Sequence, residues 1–188
     1  MLSLKKTLIS SLFIAKLFAV PVLAADLSAG EQKASSCFGC HGQKGISSIS
    51  QLPNLAAQQP AYLVNQLKAF KSGNRSNATM ESIAKNLEIK DIENISAYFS
   101  SQKPAKITTE SAAPKSSLDS ANMCLGCHGL DAEGKGQFPR LAGQHPDYLE
   151  QQLKNFKEGL RKNGPMHAVT VNLNESEIKA LAAYFGSL

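Results

Sequence analysis

The chain has 188 residues, 20 of them basic and 15 acidic, for a formal charge of +5. Lys5, Lys6 and Lys16 lie in an N-terminal apolar stretch that holds no acid, so the remainder carries only +2, too little for a nucleic-acid footprint. Four cysteines in a chain of this size raise the choice between disulfides, metal and covalent cofactor, and their spacing decides it.

Residues 1–25 read as a secretory signal. Lys5 and Lys6 precede a short apolar run from Leu8 to Val22, and small residues follow, with cleavage expected after Ala24 or Ala25. A retained anchor is disfavoured because the run is short for a bilayer span and contains Lys16. The mature chain is therefore expected to be exported.

Residues 26–101 form the first expected domain. Ser28 and Glu31 have capping-box spacing at the start of a helix that runs into Cys37-Phe38-Gly39-Cys40-His41. This C-x-x-C-H pentad is the pattern of covalent haem attachment: two thiols form thioethers to one macrocycle, and the next histidine becomes the proximal ligand. A thioredoxin-like disulfide or half of a zinc site also uses C-x-x-C, but neither needs the histidine. Pro60 suits the first turn of the next helix, where Leu63, Leu67 and Phe70 share a face before Gly73. A last helix from about Lys90 to Ser100 puts Ile92, Ile95 and Phe99 on one stripe.

Residues 102–116, rich in Ser, Thr, Ala, Lys and Pro, read as a linker. Residues 117–188 then repeat the first domain. The pentad returns as Cys124-Leu125-Gly126-Cys127-His128, and Pro53, Gln58, Pro60, Tyr62, Gln66, Phe70, Arg75, Asn77 and Met80 return as Pro139, Gln144, Pro146, Tyr148, Gln152, Phe156, Arg161, Asn163 and Met166. No strand-like alternation competes, so the expected fold class is all-α, two tandem domains, with two covalently bound haem c groups consuming all four cysteines.

One histidine leaves an axial position of the iron to fill. Of the four methionines, Met1 leaves with the leader and Met123 adjoins Cys124 on the proximal side. Met80 and Met166 remain, in equivalent loops, as the soft ligands. His145 and His167 are unrepeated, matching Gln59 and Glu81, and do not belong to the shared chemistry. Pro53 and Pro139 follow their histidines closely, and their carbonyls could accept the free ring N–H. Arg75 and Arg161 suit haem propionates; Tyr62 and Tyr148 suit the haem edge or core packing.

The tandem pentads, the Pro-x-Leu after each, the long Tyr-Leu-x-x-Gln-Leu-x-x-Phe-x-x-Gly-x-Arg-x-Asn-x-x-Met register and the Ala-Tyr-Phe near each end together resemble the cytochrome c4 family, periplasmic dihaem electron carriers built from two class I cytochrome c domains. That resemblance implies Cys37, Cys40, Cys124 and Cys127 as haem attachment points, and His41 with Met80 and His128 with Met166 as axial pairs. It further implies loose membrane association and electron delivery between a quinol-oxidising complex and a terminal oxidase or periplasmic reductase. It implies no enzymatic activity and no nucleic-acid partner. Two rivals stand beside it: a dihaem subunit fixed in a dehydrogenase or oxidase complex, and a dihaem peroxidase.

Overall fold

A computed structural model describes residues 25–106 and 116–188. The leader expected at 1–25 and the middle of the expected linker therefore lie outside the described residues, apart from Ala25 and the linker's two ends. The chain forms α1 (Leu27–Ala34), α2 (Phe38–His41), α3 (Pro60–Lys71), α4 (Ala78–Lys85) and α5 (Ile89–Ser100), then α6 (Ser116–His128), α7 (Pro146–Lys157), α8 (Gly164–Thr170) and α9 (Glu175–Gly186). Among the described residues the only β pairings are two isolated bridges, in keeping with the all-α expectation.

Local chemistry explains most helix ends. Asp26, not Ser28, caps α1: its carboxylate accepts from the Ser28 and Ala29 N–H groups, so Ser28 falls inside the helix. A carboxylate at the helix start also meets the positive end of its dipole. Pro60 occupies the first turn of α3 as expected, and Gly73 takes a left-handed φ of 73° just past its end. Helix α5 begins one residue before the expected Lys90, because Glu88 and Asp91 form a capping box. Asn174 and Glu177 do the same for α9.

Each half builds its own core. In the first lobe α5 is the central element: Ile92, Ile95 and Phe99 are buried against Ala34 and Leu63, with Tyr98 edge-on to Phe99 at 5.2 Å between ring centroids. Each such side chain removed from water is worth about 1.5–3 kcal/mol. In the second lobe Leu181, Ala182 and Phe185 of α9 meet Leu149 of α7 and Ala142. Small cores of this kind are marginal alone.

The two lobes dock through polar side chains at repeated positions. The Asn54 backbone N–H donates to Gln144 Oε1 at 2.8 Å, and Gln144 Nε2 donates to the Asn54 carbonyl at 2.9 Å. The mirror pair is the Arg140 N–H to Gln58 Oε1 at 2.7 Å and Gln58 Nε2 to the Arg140 carbonyl at 3.0 Å. At the rim, Asp147 accepts from Ser50 Oγ at 2.5 Å and from Gln51 Nε2 at 3.3 Å.

Candidate haem-attachment sites

Each pentad sits where a helix ends. In the first lobe a 3₁₀ turn, Ser35–Cys37, leads into α2, which carries Cys40 and His41; in the second, α6 runs straight through Cys124 and Cys127 to His128. Spacing of three residues on a helical path sets the two sulphurs of each pair on one side. Cys40 and Cys127 are exposed, Cys37 and Cys124 are half-buried, and no disulfide joins any of the four. Burial pushes the Cys37 and Cys124 thiols up, keeping them protonated at neutral pH.

His41 and His128 are buried, at 8% and 6% exposure. His41 Nδ1 donates to the Pro53 carbonyl at 2.9 Å and His128 Nδ1 to the Pro139 carbonyl at 2.8 Å. A carbonyl can only accept, so the proton is on Nδ1 and the Nε2 lone pair of each ring is the one available to a metal. Burial lowers the pKa of both imidazoles, against the smaller opposing effect of the proline carbonyls, which favours the neutral, ligating form. Phe138 stands edge-on to His128 at 6.3 Å. The role expected for Pro53 and Pro139 is thus present in both lobes, and a paired thiol set beside an oriented, neutral imidazole fits covalently attached haem. Among the described residues no three His, Cys, Asp or Glu side chains gather to hold a metal ion, so the pentads do not combine into one zinc site.

Met80 and Met166 lie not in loops but in the first turns of α4 and α8, and both are half-buried. Asn77 Oδ1 accepts from the Met80 N–H and Asn163 Oδ1 from the Met166 N–H, each at 3.0 Å. These asparagine caps, present in the sequence as a repeated pair, turn the expected loops into short helices.

Other expectations shift. Arg75 donates to Tyr148 Oη and Gln152 Oε1, both at 3.0 Å, and Arg161 donates to Tyr62 Oη and Gln66 Oε1, both at 2.8 Å, so all four partners belong to the opposite lobe. Tyr62 and Tyr148 are therefore interface residues rather than simple core. His145 Nε2 crosses to the Ser47 carbonyl at 3.0 Å, and His167 Nδ1 donates locally to the Phe156 carbonyl at 2.8 Å. Sequence reasoning had no role for Gln58 and Gln144. Their signal was an identical amide at matched positions, buried here to 5% exposure in both lobes.

Comparison with known proteins gives the family of the chain. A family model described as Cytochrome c matches residues 117–188. The chain is 32% identical to the cytochrome c4 of Azotobacter vinelandii over 98% of this chain and all of that one. It is 33% identical to a thiosulfate dehydrogenase electron acceptor of Thiomonas intermedia, over 87% of this chain and 83% of the relative. The solved structure of Acidithiobacillus ferrooxidans cytochrome c4 superposes with a TM-score of 0.77 at 34% identity, covering 82% of this chain and 99% of that one.

Proposed function

For a chain that belongs to the cytochrome c4 family, a dihaem electron carrier with two covalently bound haem c groups, we propose that His41 with Met80 and His128 with Met166 are the axial pairs of the two irons. The observation that carries this reading is the identical setting of the two histidines, each buried with Nδ1 spent on a proline carbonyl. Residues 26–101 and 117–188 are the two haem-bearing domains, joined by residues 102–116.

A haem c at each pentad supplies a one-electron ferric/ferrous couple. The protein's part is to hold it. Cys37, Cys40, Cys124 and Cys127 fix it covalently, and His41 and His128 present a neutral nitrogen whose orientation the proline carbonyl sets. Met80 and Met166, on capped helices, would supply the second ligand to each iron and so leave no position for a substrate, which favours a carrier over a peroxidase. The bonded interface holds the two lobes in one relation, which keeps the second centre at high effective concentration for the first.

The relatives point to redox partners that include an oxidoreductase. In this reading the mature protein works in the periplasm after cleavage near Ala24 or Ala25. It takes single electrons from a quinol-oxidising complex or a dehydrogenase and passes them to a terminal oxidase or reductase, in loose contact with the membrane. No helix among the described residues is long and apolar enough to cross a bilayer.

Intact mass together with a pyridine haemochrome assay is expected to give two haems per chain. Met80→Ala and Met166→Ala are each expected to lower the potential of one haem and to let an external ligand bind its iron. Unchanged redox titrations and spectra in both variants remove the methionines from the site, and peroxide turnover with a high-spin signal in the native protein replaces the carrier reading with the peroxidase.

A further inference from the structure

One peptide group in each lobe carries two hydrogen bonds of unusual consequence. In the Pro53–Asn54 peptide, the carbonyl accepts from His41 Nδ1 at 2.9 Å and the N–H donates to Gln144 Oε1, from the other lobe, at 2.8 Å. In the Pro139–Arg140 peptide, the carbonyl accepts from His128 Nδ1 at 2.8 Å and the N–H donates to Gln58 Oε1, from the first lobe, at 2.7 Å. Each glutamine is held in this orientation. Its Nε2 donates to the carbonyl of the same partner residue, and its Oε1 also accepts a backbone N–H from its own neighbour, Gln59 or His145. Asn54, Gln58 and Gln144 are each 5% exposed, so water does not compete.

We propose that Gln144 and Gln58 are cross-lobe positioning residues that set the hydrogen bond of the opposite lobe's proximal histidine, and through it the potential of the opposite haem. The inference rests on the axial reading of His41 and His128. Amide resonance joins the two ends of a peptide group: donation from its N–H into Gln144 Oε1 leaves more negative charge on its oxygen. A more negative Pro53 oxygen draws the His41 Nδ1 proton harder, and the ring becomes a stronger electron donor. A stronger donor favours the ferric state and lowers the potential. The same chain runs from Gln58 through Pro139–Arg140 to His128. Docking of the lobes is then part of what sets both potentials.

The two chains are not identical. The Asn54 side chain adds Oδ1 as acceptor for the Ser47 N–H at 2.8 Å and Nδ2 as donor to the Gly143 carbonyl at 3.0 Å. Arg140 instead turns its Nε to the Ala142 carbonyl within its own lobe. The first-lobe peptide is the more firmly held, so the effect of its glutamine is expected to be the better defined.

The test uses the full holoprotein with Gln144→Met, Gln58→Met and, as a control, Asp147→Ala, which removes a rim contact without touching either proline peptide. Methionine keeps the volume and loses the acceptor. Gln144→Met is expected to raise the potential of the first-lobe haem, lowering its ferric-to-ferrous ratio at fixed applied potential roughly threefold, about 30 mV at about 59 mV per decade. It is also expected to move the His41 Nδ1–H nuclear resonance while the second-lobe haem holds. Gln58→Met does the reverse, and Asp147→Ala moves neither. Equal shifts at both haems, a shift confined to the variant's own lobe, or no shift while the His41 resonance still responds to the iron's oxidation state each overturn the cross-lobe coupling. A His41 ring insensitive to oxidation state removes the axial reading itself, and the coupling with it.

Discussion

Arg75 and Arg161 pair with one another in an isolated antiparallel bridge, and each guanidinium lies 4.5 Å over the phenylalanine of its own lobe, Phe70 or Phe156, while bonding to the other lobe. Repeated residues thus meet across the interface, and no described salt bridge includes either arginine. Arg161 is buried to 9% exposure, and its partners there are the neutral Tyr62, Gln66 and Gln152. Charge-assisted bonds and ring stacking offset its desolvation. Arg161→Met keeps the stem but removes the charge and its bonds to Tyr62 Oη, Gln66 Oε1 and Gln152 Oε1, leaving Gln66 Oε1 to Arg75 alone. It is expected to weaken lobe docking by about 2–4 kcal/mol, measured as denaturant unfolding that splits from one transition into two. A single unaltered transition rejects the arginine as a docking element.

The same cluster has a pH signature. Burial alone raises the Tyr148 pKa, but Arg75 and Arg161 beside it more than reverse this and hold the phenol below its ordinary value near 10. Between the depressed folded value and about 10 the unfolded chain carries a proton that the folded one has lost, so stability rises with pH across that window. The contribution is complete above pH 10 and disappears as pH falls through the folded value. Titration of ring-labelled tyrosine by nuclear resonance is expected to show one early-ionising phenol, absent in Tyr148→Phe and shifted back up in Arg161→Met. Four phenols titrating together near 10 would contradict the assignment.

Much of this was legible in the residues, because the cues were local or repeated. The pentads, the stripe Ile92, Ile95 and Phe99, the proline at the start of α3 and the glycine after it each follow from spacing or backbone preference. What escaped depends on tertiary placement. Gln58 and Gln144 appear in sequence only as polar residues in register, Arg75 and Arg161 as partners for haem propionates, and Tyr62 and Tyr148 as haem-edge or core residues; nothing in one chain's order says that two copies of a surface face each other. The Met80 helix escaped for a smaller reason: an asparagine three residues before the methionine was a cap, and a cap converts a loop into a turn of helix.

Gly30 is where α1 comes closest to α5. A Cβ there would stand 2.3 Å from the Asn94 carbonyl oxygen and 3.0 Å from the Tyr98 Cβ, both on α5. The neighbouring Asp26 N–H to Asn94 Oδ1 bond, at 2.9 Å, and the Lys33–Asp91 pair, at 3.0 Å, hold the two helices together. Gly30→Ala gains helix propensity but forces backbone apart. The clash outweighs the gain, and a net loss of about 1–3 kcal/mol in first-lobe stability is expected from chemical denaturation of the holoprotein. A stabilised variant would mean that the helices are not in contact at this residue.

Lys71, at the end of α3, reaches the far end of the methionine-bearing helix. Its Nζ donates to the Lys85 and Leu87 carbonyls, both at 2.7 Å, and Lys157 likewise donates to the Leu173 carbonyl in the second lobe. Helix α4 has only eight residues, too few to be stable unaided. Asn77 satisfies its first turn and the lysine its last, where a cation also meets the negative end of the helix dipole. Lys71→Met preserves the aliphatic stem and removes the charge. A cost of about 1 kcal/mol in local opening is expected, read as roughly fivefold faster hydrogen exchange at α4 amides with α5 unchanged. Lys71→Arg is expected to restore most of the protection, since a guanidinium can serve the same carbonyls. Exchange rates in α4 that ignore both substitutions would show that packing against α3, rather than the ammonium, keeps Met80 in place.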